Sequence, residues 1–252
     1  MPLADDIATP ERKRRYVRAL FATIADGYDF ITVALSYGQD RRWKRRVTEL
    51  TQPRPDLLVL DLATGTGDIA FALAARGAEV VGLDVTLRMI AIARAKNAAP
   101  RPVQFLVGDM VALPFPNASF DAVTIGYGLR NVPDLGTAMA EAARVLKAGG
   151  RLVSLDFNRP VNRAVRALYL CYLTVVGSVL GWLLHRDPDT YRYIAASLRT
   201  YPGAAGISGM LEARGFSRVE HQPLLGGLMS IHLAIRSSKS EVEVKCEVES
   251  GV

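Results

Sequence analysis

The run LLVLDL at 57–62 leads straight into ATGTGD at 63–68, and no other stretch of the chain restricts its fold so tightly. An unbroken apolar run of this length, closed by glycines, reads as a strand buried on both faces. Gly65 and Gly67 let the backbone turn sharply and approach a ligand closely. The helix-period run from Asp68 to Arg76 then begins with free N–H groups, which favour a ligand carboxylate. The same alternation repeats downstream. AEVVGLD (78–84), VQFLVGD (103–109), FDAVTIG (120–126) and RLVSLDF (151–157) read as strands, and Leu87–Lys96 and 135–147 as helices. The pair Gly149-Gly150 is expected to stop the last of these helices. Repeated βα units imply an α/β domain with a mostly parallel sheet. FSRVEHQPLL and LMSIHLAIR, separated by Gly226-Gly227, read as a hairpin that places an antiparallel C-terminal strand at or near one edge.

A single G-x-G after a strand also opens dinucleotide-binding domains, so further residues must choose the ligand. Three details favour S-adenosylmethionine over a nicotinamide dinucleotide. The third glycine of G-x-G-x-x-G is absent, Ala70 standing at that position. Asp84 lies about 20 residues beyond the first strand, suited to ribose hydroxyls. Asp109 ends the third strand, where it can face an adenine amino group beside the N–H of Met110. The candidate cofactor residues are therefore Asp61, Gly65, Thr66, Gly67, Asp84, Asp109 and Met110. The alternatives are ordinary loop-capping roles for Asp61, Asp84 and Asp109, and a turn role for Thr66.

More specific segments flank this core. YDFITVALSYGQDRRW (28–43), LPFPNASFDAVTIGYGLRNV (113–132), RVLKAGGRLVSLDFN (144–158), YRYIAASLRTYPG (191–203) and GGLMSIHLAIR (226–236) resemble successive signatures of the ubiquinone/menaquinone-biosynthesis C-methyltransferase family. The resemblance spans about residues 16–236. Tyr28, Asp29, Ser36 and Trp43 stand as in the family pattern. Ile31, Thr32 and Asp40 replace its Met, Asn and His, and Tyr127 replaces a Phe before the Gly-Leu-Arg-Asn element. The resemblance implies a class I S-adenosylmethionine-dependent methyltransferase, Rossmann-like, with a seven-stranded sheet. It also implies cofactor contacts at Thr66, Asp84, Asp109, Met110 and Gly126, and C-methylation of a polyprenyl quinol, either demethylmenaquinol or a methoxy-benzoquinol.

A quinol carbon becomes nucleophilic when the neighbouring hydroxyl ionises, and a phenolic pKa near ~10 makes that step need help at neutral pH. The resemblance places Arg130 near the substrate. A guanidinium with pKa above ~12 is a poor base, so stabilisation of the developing quinolate is the expected role. Asn131 is expected to orient the ring, with Tyr28, Asp29 and His232 as further candidates for the proton path. For Arg130 the competing reading is a salt bridge to Asp134 or Asp121, and for His232 a structural role. No metal-ligand cluster is evident, no cysteine lies near residues 126–129, and that loop lacks the Asn/Asp-Pro-Pro-aromatic pattern of amino-group methylation on bases.

The remaining features concern surroundings. The formal charge is +6, with basic clusters at Arg12–Arg15 with Arg18, and at Arg41, Arg42 and Lys44–Arg46. These suit an anionic membrane face or a solvated helix. Nucleic acid is permitted by charge, but no aromatic stacking platform accompanies it. Cys171 and Cys246 form no paired motif, and charge in residues 1–15 replaces the apolar core of a signal peptide, so a cytoplasmic protein is expected, peripheral on the inner membrane face in one reading. Ala167–Leu184 is uncharged and reaches the ~18 residues of a spanning helix. Because sheet strands flank it, a lid with an apolar face for the isoprenoid tail is the better expectation, with core packing or a homodimer face as the alternative. The expected organisation is a helical cover (1–50), a cofactor core (51–158), the apolar insert (159–200), a closing helix and hairpin (201–238), and a loose tail (239–252). Residues 1–15 are also expected to be loose. Another hydrophobic phenol, or an RNA-binding methyltransferase, is the alternative function.

Overall fold

The computed structural model describes residues 3–36, 38–97 and 103–238. The expected loose tail, with Cys246, lies outside them. Four helices come first: α1 (Leu3–Asp6), α2 (Pro10–Ile24), α3 (Tyr28–Leu35) and α4 (Asp40–Thr51). The chain then alternates through β1 (Leu58–Leu62), α5 (Asp68–Ala74), β2 (Glu79–Asp84), α6 (Leu87–Lys96), β3 (Gln104–Val107), β4 (Phe120–Gly126), α7 (Leu135–Val145) and β5 (Leu146–Phe157). It closes with α8 (Arg163–His185), α9 (Asp189–Thr200), α10 (Gly203–Glu212), β6 (Phe216–Leu224) and β7 (Met229–Arg236).

The sheet order is β3-β2-β1-β4-β5-β7-β6. β1 pairs in parallel with β2 on one side and β4 on the other. That reversal of strand order opens a crevice at the strands' carboxyl ends, the usual ligand position in such sheets. β7 runs antiparallel to both β5 and β6. Alternate strand residues feed two cores. Val59, Val80, Ala122 and Val153 pack with Trp43 and Val47 of α4 and Ile69 of α5. Leu60, Leu62, Val123 and Leu152 pack with Met139 of α7 and Ile207 of α10.

Two details differ from the sequence reading, and a third segment it singled out, the apolar insert, takes a definite form. Residues 3–15 are not a loose end: Thr9 caps α2 by accepting the Arg12 N–H at 3.3 Å, and Leu3 is buried with Val17, Leu20 and Tyr193. Gly149-Gly150 does not end the helix. α7 stops at Val145, and Leu146 already pairs with Phe120 before Arg151 pairs with Ala122. The residues between them bulge out of β5 at Gly149, whose φ is +73°. Finally, the apolar insert is a helical hairpin. α8 is long and apolar enough to cross a membrane by length and composition. However, β5 before it and β7 after it pair residue by residue, so one crossing would separate strands of one sheet. Tyr169, Leu173, Gly177 and Gly181 form its buried stripe. A Cβ on Gly177 would stand 2.8 Å from the Tyr191 carbonyl oxygen of α9, so glycine permits this close packing.

Candidate active site

The loop between β1 and α5 is built by carboxylates that hold backbone in place. Asp61, at the end of β1, accepts the hydroxyls of Thr64 and Thr124, each at 2.6 Å. Burial pushes its carboxyl up to about 6, against the pull of those two hydroxyls. Asp84, at the end of β2, accepts the N–H of Gly65 at 2.9 Å and of Thr86 at 2.8 Å, tying one strand end to the next loop. Burial raises its pKa while these N–H groups oppose the shift. Gly67 has φ +94°, and a Cβ there would lie 2.7 Å from the Phe71 ring. At the end of β4, a Cβ on Gly126 would lie 2.6 Å from Ile69 Cδ1.

A cavity of about 680 Å³ opens above these loops, with Gly65, Asp84, Asp109, Met110, Gly126 and Asn131 in its walls. Asp109 accepts the Val111 N–H at 3.2 Å and pairs with Arg14 of α2 at 3.1 Å, so the helical cover reaches the cavity rim. Asn131 donates through Nδ2 to the Tyr127 carbonyl at 2.8 Å, while its buried Oδ1 has no partner. A small polar space of about 330 Å³ adjoins, lined by Lys44, Asp61, Thr66 and Asp68, and sharing Tyr28, Gly65, Gly126 and Tyr127 with the first. Acceptor carboxylates, glycine-permitted backbone approach and an unsatisfied buried amide oxygen fit a nucleoside with a charged amino-acid tail.

A second large cavity, about 840 Å³, lies between α2, α3, α8 and α9 and is mostly apolar. Ile24, Ile31, Trp43, Phe157, Tyr169 and Leu173 contribute to its walls. Tyr28 and Tyr127 belong to both large cavities and so stand at their junction. Burial raises the pKa of both hydroxyls. Arg130 enters the apolar wall and is itself only 5% exposed. Its backbone N–H donates to Asp156 Oδ2 at 3.0 Å, its Nε lies 3.5 Å from Asp156 Oδ1, and Nη1 donates to Ser197 at 2.5 Å. The guanidinium carbon stands 4.9 Å from the Phe157 ring centre. Burial raises the Asp156 pKa, and the Arg130 charge opposes that rise. The buried Tyr193 hydroxyl on the same wall has no hydrogen-bond partner. Lys13 of α2 fastens the loop from outside, donating to the carbonyls of Arg130 at 3.1 Å and Val132 at 2.8 Å. Burial, helped by the Arg130 charge, lowers the Lys13 pKa to about 8.

Of the residues expected at a site, the structure gathers Gly65, Asp84, Asp109, Met110, Gly126 and Asn131 around one cavity, Arg130 at the other, and Tyr28 between them. Two proton-path candidates stand away from both cavities, and the salt bridge of Arg130 has another partner than its competing reading gave. His232 lines neither cavity: it is buried under α10, with Nε2 3.0 Å from the Ala204 carbonyl, and burial lowers its pKa to about 4. Asp29 also lines neither. Although burial opposes ionisation, hydrogen bonds from Lys96 and Thr66 hold its carboxyl low, and it closes the cover onto α6 and the glycine loop. Arg130 pairs with Asp156 rather than with Asp134, which caps α7, or Asp121, which binds Lys147. Asp61 and Thr66 face the small polar space instead of the main cavity, and Gly67 shapes the turn without lining either. Sequence reasoning missed Asp156, Ser197, Tyr193, Lys44 and Lys13. Asp156 carried a signal, as a charge inside the apolar run RLVSLDF.

The model of the ubiE/COQ5 methyltransferase family matches residues 9–236. A demethylmenaquinone methyltransferase of Thermus thermophilus is 43% identical over 220 residues, covering 86% of this chain and all of that protein. One from Mycobacterium sp. strain KMS is 39% identical over 229 residues, covering 91% of this chain and 97% of that protein. The ubiquinone/menaquinone biosynthesis C-methyltransferase UbiE of Acidiphilium cryptum is 38% identical, covering 87% and 90% respectively. Among solved structures, a SAM-dependent methyltransferase from Thermotoga maritima superposes with a TM-score of 0.60 at 18% identity, over 88% of this chain and all of that one. One from Aquifex aeolicus gives 0.54 at 17% identity, over 76% of this chain and 88% of that one, so the fold is shared. With the family model spanning nearly all of the described core, this chain belongs to the ubiE/COQ5 methyltransferase family.

Proposed function

We propose that this protein transfers the methyl group of S-adenosylmethionine to a ring carbon of a polyprenyl quinol, demethylmenaquinol first among the candidates. The observation that carries the reading is the meeting of a polar, carboxylate-edged cavity with an apolar one at Tyr28 and Tyr127, with Arg130 at the apolar side of the junction. The names of the Thermus and Mycobacterium relatives favour the naphthoquinol over the benzoquinol.

Bound adenosylmethionine supplies an electrophilic methyl on a sulfonium centre. The protein's own residues do the rest by placement and charge stabilisation. Asp84 would hold the ribose hydroxyls, Asp109 and the Met110 N–H the adenine, and the Gly65–Thr66 backbone the amino-acid end. Gly126 leaves room for close approach. On the apolar side, Arg130 faces the developing quinolate as a fixed cation. Its pairing with Asp156 fixes its position, and the Phe157 ring supports its face. The unpartnered Tyr193 hydroxyl suits the second quinol oxygen, and Asn131 Oδ1 suits a donor at the cofactor side. The walls of Ile24, Ile31 and Leu173 receive the start of the isoprenoid tail.

The tail's continuation implies a bilayer. α8 presents Leu168, Val175, Val179 and Trp182 outward, Trp182 being 63% exposed, while its inner residues Tyr169 and Leu173 line the apolar cavity. Exposed Arg163 and Arg186 at the helix ends add positive charge beside that face. An exposed apolar face flanked by arginines in this way suits the interfacial region of an anionic membrane. The inner face of the cytoplasmic membrane is the location that follows, and a bilayer covers this face in preference to a second copy.

The test is incubation with adenosylmethionine and reduced short-tail demethylmenaquinol, followed by mass analysis. A product heavier by one methylene, abolished in Arg130→Ala while donor binding persists, is expected. An unchanged quinol, or full turnover by Arg130→Ala, would overturn the assignment.

A further inference from the structure

The geometry points to Tyr127, Asp40, Lys44 and Asp68 as the exit path for the proton that methylation releases, a path that rests on the quinol-methylation reading above. Tyr127 stands at the junction of both large cavities and the small polar one. Its φ of +57° is unusual for a bulky residue, so its surroundings must hold it there. They do so at three points: its N–H donates to the Leu155 carbonyl at 2.7 Å, its carbonyl accepts from Asn131, and its hydroxyl donates to Asp40 Oδ1 at 2.7 Å. Asp40 is 2% exposed. From its other oxygen the chain continues through Lys44 Nζ at 2.7 Å to Asp68 Oδ2 at 2.8 Å. The Asp68 side chain is 38% exposed, so three hydrogen bonds connect the cavity junction to solvent.

The innermost link joins Asp40, at the start of α4, to Tyr127, in the loop after β4. They lie 87 positions apart and touch. The other buried carboxylates are committed elsewhere. Asp156 takes the N–H groups of Arg130 and Phe157 beside the guanidinium, Asp84 takes those of Gly65 and Thr86, and Asp61 takes two threonine hydroxyls. Tyr28 from α3, Asp61 from β1, Asp68 from α5 and Asp156 from β5 are the titratable groups that act on Lys44, Asp40 or Tyr127. Burial, with the Asp40 charge beside it, holds the Tyr127 hydroxyl protonated, so it passes a proton only in exchange for another.

The new carbon–carbon bond uses a ring electron pair, the sulfonium sulfur keeps the pair of the broken S–CH₃ bond, and one proton is left in excess on the quinol. That proton moves to Tyr127 Oη as the tyrosine's own proton moves to Asp40. Although burial opposes it, Asp68 and Asp40 hold Lys44 protonated, so the ammonium takes up the Asp40 proton only as it passes one of its own to Asp68, which releases it to solvent.

Single-turnover methyl transfer to short-tail demethylmenaquinol, measured in wild type, Asp40→Asn and Tyr127→Phe across pH 6–9, tests this path, with donor affinity by calorimetry as control. Each variant is expected to lose about 100-fold in rate, the scale of positioned proton transfer. The double variant should lose no more than either single one. Donor affinity should hold, and the variants' rates alone should climb with pH and with imidazole concentration. A wild-type rate in Tyr127→Phe, or a loss insensitive to pH and imidazole, overturns the path alone. Absence of product with the wild-type protein overturns the quinol reading and the path with it.

Discussion

Replacing Arg130 by methionine removes one half of a buried ion pair while keeping much of the side-chain volume. Asp156 is 2% exposed and would lose its counter-charge but keep two backbone N–H donors, from residue 130 and from Phe157. Breaking a buried pair from one side costs about 3–5 kcal/mol. The two remaining donors and the option of protonation place this case near the lower end, about 3 kcal/mol. For a chain of this length that corresponds to a fall of roughly 6–12 °C in Tm. The pH dependence identifies the cause. Asp156 is already raised by burial, and without Arg130 it rises further. A carboxyl whose folded pKa exceeds its unfolded value of about 3.9 stabilises the fold most below that value, and the contribution is lost as pH rises through the folded pKa. The deficit of Arg130→Met against wild type should therefore shrink on acidification from pH 7 toward 4. Urea unfolding at a series of pH values, with the slope m checked for constancy, gives the comparison. A deficit below 1 kcal/mol, or one independent of pH, would show that Arg130 and Asp156 are not coupled as described.

Three further outcomes are expected. Asp84→Ala removes an acceptor for ribose hydroxyls and frees the Gly65 N–H, so calorimetric affinity for adenosylmethionine should fall at least tenfold, on the scale of about 1.5–3 kcal/mol for a charged hydrogen bond. His232→Phe should leave turnover intact. Because burial lowers the wild-type histidine to about 4, its contribution to stability is present above about pH 6.5 and lost as pH falls toward 4, and the variant should flatten that slope in acid unfolding curves. Trp182→Glu with Val179→Glu, both on the exposed face of α8, should abolish flotation with anionic liposomes while calorimetric donor binding is unchanged.

What the sequence made legible was local. β1 and its loop could be read because the apolar run, the two glycines and the helix onset adjoin, and α6 was predicted at its observed bounds because its turn residues and period agree. The C-terminal hairpin followed from Gly226-Gly227 in the same way. The failures were long-range. Nothing in Gly149-Gly150 says that Leu146 will pair with Phe120, since that pairing is set by β4. Asp156 as the partner of Arg130 and Asp40 as the partner of Tyr127 depend on how strand ends and the helical cover converge, which no periodicity encodes. His232 misled for the same reason: its chemistry suits proton transfer, but its strand lies between β5 and β6 with α10 laid over that face. Five of the cofactor-side candidates lined one cavity because each sits at a strand's carboxyl end or in the loop that follows, where the fold itself puts ligands.

In the function proposed above, a carbon of a lipid-tailed quinol receives the donor's methyl group at the junction guarded by Tyr28, Tyr127 and Arg130. The most direct measurement uses adenosylmethionine with a deuterated methyl group and reduced demethylmenaquinol, with the product fragmented in the mass spectrometer. The intact deuterated methyl is expected on a ring carbon. Label on a hydroxyl oxygen, or bound donor with no transfer to the quinol, would contradict it.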